Sequence, residues 1–197
     1  MKRWLLLLLG MCFMVAASAQ SEQRFMNEAN ITYGQFTAPQ MVYVLGEVFG
    51  AAFSLGHFST DNTIFLGAFG VEYYHYANSW FAYGASVLFD YTTSDAYTVD
   101  KDGNRTPNGK FNLGWASMMP SAKFTWLRRE KISLYSKLSV GPGLIVGGSD
   151  SVKDNLTVSF QATPIGMAFG KKESIGGFAE IGFGMQGIVN VGIQKRF

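Results

Sequence analysis

Residues 80–91, WFAYGASVLFDY, alternate without interruption. Successive side chains of an extended chain point to opposite faces, so Phe81, Tyr83, Ala85, Val87, Phe89 and Tyr91 share one side and Ala82, Gly84, Ser86, Leu88 and Asp90 the other. One face is large and apolar, the other small or polar. A helix cannot use that pattern, because its buried stripe needs a spacing of three and four. The same period recurs along the chain. In 114–126, Ala116, Met118, Ala122, Phe124 and Trp126 oppose Ser117, Ser121, Lys123 and Thr125. In 132–141, Ile132, Leu134, Leu138 and Val140 oppose Ser133, Tyr135, Lys137 and Ser139. In 175–183, Ala179, Ile181 and Phe183 oppose Gly176, Glu180 and Gly182, and in 189–197, Val189, Val191, Ile193 and Phe197 oppose Asn190, Gly192, Gln194 and Arg196. Residues 64–76 set Phe65, Phe69, Val71 and Tyr73 against Leu66, Glu72 and Tyr74. In 158–169 the parity breaks at Pro164, where a bulge would turn Ile165, Met167 and Phe169 to the side of Phe160. Residues 42–55 read as a further strand, with Glu47 on the parity of Tyr43, Leu45 and Phe49. The expectation is an all-β chain of about eight strands.

Alternation alone leaves two architectures open. In a soluble sandwich the bulky face is the core; in a small transmembrane barrel it faces lipid and the small polar face fills the lumen. Three features favour the barrel. The connectors alternate in length, with 77–79, 128–131 and 171–174 short and 92–110 and 145–155 long, as periplasmic turns and extracellular loops do. Aromatic residues gather where strands meet the short turns, which marks Tyr73, Tyr76, Trp80, Phe81, Phe124 and Trp126 as an interfacial girdle. The polar faces carry charges of both signs, Glu72 and Glu180 with Lys123, Lys137 and Arg196, as a ladder enclosed in a narrow lumen requires.

The start of the chain is an export signal. Lys2 and Arg3 precede an apolar run, and Ala17-Ser18-Ala19 forms a small-x-small site before Gln20, so residues 1–19 are expected to be removed after Ala19. Cys12 leaves with them. The remaining cations then equal the 14 acidic residues, so no basic field for nucleic acid is expected. Residues 20–40 read as a polar periplasmic lead-in and 41–197 as the barrel.

The stretches MMPSAKFTW with LYSKLSVGPG, ATPIGMAFGK and GGFAEIGFGMQGIVNVGIQKRF give the chain a further handle. They resemble the small eight-stranded outer-membrane barrels of the OmpX and OmpA transmembrane type, in particular porin-family barrels of Bacteroidota. The resemblance implies an antiparallel up-and-down transmembrane barrel in the outer membrane of a Gram-negative cell envelope. It implies contact with outer-membrane lipid and lipopolysaccharide, and recognition of the last strand by the outer-membrane assembly machinery through Phe197. That family usually carries an aromatic two residues before the end, where this chain has Lys195.

Candidate chemistry is sparse. His57 and Ser59 would point the same way on a strand, with Asp61 nearby, which locally resembles a lipid A deacylase; an ordinary loop histidine is the simpler reading. Asp100-Lys101-Asp102-Gly103-Asn104 puts Gly fourth and Phe111 at position 12, which suits a hairpin turn rather than a calcium loop. The expectation is therefore a monomeric, non-enzymatic barrel without cofactor or metal, with a structural role or a surface-binding one through its extracellular loops. A small porin or channel is the alternative, and a lipid A-modifying enzyme the third reading.

Overall fold

The computed structural model describes residues 27–53, 58–99, 104–147, 155–171 and 173–197. The expected signal peptide, His57 and the 100–103 segment lie outside the described residues. Eight strands form one closed antiparallel barrel in chain order. They are β1 (Asn27–Gln35), β2 (Phe58–Tyr76), β3 (Phe81–Val99), β4 (Arg105–Arg128), β5 (Ile132–Gly147), β6 (Asn155–Phe169), β7 (Ile175–Gly184) and β8 (Val189–Arg196), with the helix α1 (Ala38–Phe53) between β1 and β2. Strand β8 closes on β1 from Glu28↔Arg196 to Gln35↔Val189. Beyond Arg196, Asn27 and Phe197 exchange backbone bonds of 2.8 and 3.0 Å.

The faces decide between the two architectures. Tyr83, Val87 and Phe89 are 53, 49 and 51 % exposed, whereas Ala82, Ser86, Leu88 and Asp90 on the other parity are buried. The polar face is the inside. The apolar exterior continues around every strand, through Ile31, Val71, Val87, Met118, Leu138, Phe160, Ile181 and Ile193, all of them exposed. At Pro164 the β6–β7 ladder slips between Ala162 and Ile165, and Ile165, Met167 and Phe169 face outward with Phe160.

The N-terminal third departs from the sequence expectation. Residues 42–55 do not form the first strand; most of them belong to α1, and β1 lies inside the stretch read as a lead-in. Thr37 caps the helix. Its Oγ1 accepts from Gln40 N at 3.3 Å while Gln40 Oε1 accepts from Thr37 N at 3.3 Å, a reciprocal capping box over T-A-P-Q.

The expected long loop 92–110 is mostly hairpin. Strands β3 and β4 stay paired from Thr92↔Leu113 out to Val99↔Arg105. Within β2, the pairing slips between Phe65 and Gly67, and Gly67 takes φ +83°, so Ile64 and Leu66 turn outward instead of Leu66 sharing the inner face with Glu72.

Candidate functional site: the charged interior

Alternation places polar side chains of every strand inside a narrow barrel, and the closed ladder brings them together. Glu72, Lys123, Lys137, Glu180 and Arg196 are all buried in this interior. A sixth charge, Glu28 on β1, joins them; it lies in the stretch that reads as a polar lead-in, where no strand is expected.

Glu28 is fully buried. Its Oε1 pairs with Lys123 Nζ at 2.5 Å and its Oε2 with Arg196 Nε at 3.1 Å. Asn30 Nδ2 donates to Oε1 at 3.0 Å and Tyr76 OH to Oε2 at 2.9 Å. Lys137 Nζ sits between two carboxylates, 2.8 Å from Glu72 Oε1 and 2.8 Å from Glu180 Oε2. Glu72 also accepts from Asn30 Nδ2 at 3.0 Å and from Gln186 Nε2. Glu180 accepts from Tyr135 OH at 2.7 Å and Asn190 Nδ2 at 2.8 Å. Every one of the three carboxylates is thus met by a cation and by at least two neutral donors. Lys123 Nζ further lies 3.9 Å from the centre of the Tyr135 ring, and the Arg128 guanidinium 4.7 Å from that of Tyr76.

Six strands, β1, β2, β4, β5, β7 and β8, supply these charges. The other two supply room. Ala82 of β3 packs against Tyr74 and Tyr76, and Ala168 of β6 against Tyr135 and Phe178. Gly166, also on β6, faces the Tyr135 ring so closely that any Cβ there would overlap it. Gly166→Ala is therefore expected to displace the ring that holds Glu180, at about 1–3 kcal/mol; a denaturant midpoint equal to wild type in refolded protein would contradict this.

Above the ladder the interior closes with apolar side chains. Leu88, Met119 and Met185 form a buried cluster, with Ala38 and Trp115 packed on it. Two connections fold inward to build it. The turn between β7 and β8 buries Met185 and Gln186, and Thr37 Oγ1 at the start of α1 donates to Asp90 Oδ2. Farther out, Tyr43 of α1 bonds Ser94 at 2.7 Å and packs on Phe65 and Phe111.

The six aromatic residues expected in a girdle do not all lie on one face. Trp80, Phe81 and Phe124 cluster at the first short turn, with ring centroids 5.3 to 6.2 Å apart. Tyr73 is exposed on the same end and donates to Asn27 Oδ1 at 2.7 Å. Trp126 is half-buried. Tyr76 is not in the girdle: it shares the parity of Glu72 and Tyr74 and lies inside, bonded to Glu28. Ser59 and Asp61 fall in β2, paired with Tyr97 and Asp95; their expected partner His57 lies outside the described residues. Phe111, the twelfth position of the calcium reading, sits in β4 opposite Ser94. Phe197 is exposed.

Compared with known proteins, the chain matches no family model and no curated protein. What the site can do must therefore come from its geometry. Saturated, enclosed ion pairs spanning six strands are suited to holding a barrel shut.

Proposed function

We propose that this chain is an integral outer-membrane β-barrel that is not an enzyme, with a structural role and outer connections available for surface binding. One observation carries the reading: charges are enclosed and a belt of large apolar side chains is exposed around all eight strands. Monomeric soluble proteins seldom expose contiguous apolar surface beyond a few hundred Å², whereas a closed barrel in hydrocarbon satisfies its backbone internally and wants such a belt. Among the described residues no helix is long and apolar enough to cross a membrane; in this reading the strands span it. Strand β1 has nine residues and β7 ten, within the roughly 9–11 that a tilted spanning strand needs.

In this reading residues 1–19 are removed on export, the barrel is monomeric, its partners are outer-membrane lipid and lipopolysaccharide, and Phe197 is read by the assembly machinery. The short turns and the Trp80–Phe124 cluster face the periplasm. The ladder and the Leu88–Met119–Met185 layer fill the lumen, which disfavours the porin alternative. Membrane fractionation with heated and unheated electrophoresis tests the proposal: the protein should sediment with outer membranes and run at different positions before and after boiling. Recovery in the soluble periplasm would refute it. In planar bilayers the wild-type protein should give no steady conductance; steady single-channel steps would favour the porin.

A further inference from the structure

The helix α1 raises a separate question, since its sequence, APQMVYVLGEVFGAAF, has one charged residue and no basic one. A helix apolar on nearly all sides has to be covered by something. The protein covers only part of it. Gln40 is buried and Tyr43 packs on Phe65 and Phe111, but Val42 and Leu45 are 69 and 53 % exposed and Val44 is exposed beside them.

The strand lengths fix where this face lies. Strand β1 pairs with β2 only as far as Gly34↔Ala68, while β2 continues outward to Phe58. The wall is therefore low at β1, and α1 starts just above it. Between α1 and the upper part of β2 runs a groove of about 420 Å³, lined by Phe36, Met41, Val44, Leu45 and Phe65, with Gln35 and Gln40 also on it. Phe36 and Ile64 are exposed at its margins and continue the outward belt of Ile31 and Phe69. Exposed apolar side chains are thus found on the barrel wall, at the groove and on the described part of the helix.

We infer that α1 beds its exposed face in the membrane, and that a lipid acyl chain occupies the groove between α1 and β2. The occupant is hydrocarbon and not a phosphate headgroup, because a helix held by anionic headgroups carries Lys or Arg on its polar face, and α1 has none. This inference rests on the membrane reading above, and the test separates the two.

Cys12 is the one native cysteine and leaves with residues 1–19 in this reading, so the processed chain is a cysteine-free background for single nitroxide labels. Labels go at Leu45→Cys and Val42→Cys on the helix, at Phe89→Cys in the belt and at Glu130→Cys in a short turn, with the protein refolded into dimyristoylphosphatidylcholine vesicles and folding checked on unheated gels. Collision with oxygen is compared with collision with a water-soluble nickel complex. Leu45 and Val42 should match Phe89, with an oxygen-to-nickel ratio several-fold above that of Glu130. Helix labels as nickel-accessible as Glu130, with Phe89 still in lipid, would overturn the inference alone and leave the face to a protein partner. A Phe89 label as accessible to nickel as Glu130 would overturn the membrane reading and this inference with it.

Discussion

Lys137→Met should destabilise the barrel by about 3–5 kcal/mol, the usual result of stripping one partner from a buried ion pair. Lys137 Nζ is the only cation within salt-bridge distance of Glu72 and Glu180 among the described residues, and it bridges β5 to both β2 and β7. Methionine keeps most of the length of the side chain and removes the charge. The neutral donors Asn30, Gln186, Tyr135 and Asn190 remain, but hydrogen bonds from amides and a phenol do not neutralise two enclosed carboxylates. Against a typical total of about 5–15 kcal/mol, that loss is a large share of the stability and should lower the urea midpoint clearly. The companion is Lys137→Met with Glu72→Gln and Glu180→Gln, which removes all three charges and should recover most of the stability. Urea titration of tryptophan fluorescence in detergent micelles reads both. A single variant with an unchanged midpoint would show that the ladder is not what holds these strands together.

The ladder was legible wherever a charge sat on a clean alternation. Lys123, Lys137, Glu180 and Arg196 each lie opposite a run of aliphatic or aromatic residues, so parity alone put them inside. Glu28 was missed because β1 offers only Ala29, Ile31 and Tyr33 as its outward face, too thin to stand out from a polar lead-in. Tyr76 lies near the turn, which suggests the girdle, but its parity with Glu72 points it inward. Leu66 depended on a bulge at Gly67 that nothing nearby announces. The helix was hidden for another reason: an apolar run without a polar face has no period to choose between helix and strand, although the T-x-x-Q box at Thr37 and Gln40 was readable. Residues 92–110 looked like a loop because a hairpin extending past the apolar belt has no need of an apolar face. Its pairing is set by β2 and β4, not by its own hydropathy.

Val87→Arg separates a barrel in lipid from a barrel in water. Val87 is about half exposed and lies beside Val71 and Met118; Val71 in turn pairs with Ile31, the middle residue of β1. For a protein surrounded by water, arginine at an exposed valine stays within about 0.5 kcal/mol of wild type. For an outward position at the middle of a hydrocarbon belt, the expected loss is about 2–4 kcal/mol, falling to about 0–1 near the interface. Leu156→Arg supplies the second point, since Leu156 is highly exposed at the outer end of β6, one residue from its start. The prediction is therefore a gradient: refolded into phosphatidylcholine vesicles and unfolded with guanidinium, Val87→Arg should lose several times the stability that Leu156→Arg loses. Neither change touches the interior, so the Lys137 ladder stays intact in both. Equal small losses at the two sites would mean that water surrounds the belt, because only a depth-dependent solvent can distinguish two exposed apolar side chains on the same outer face.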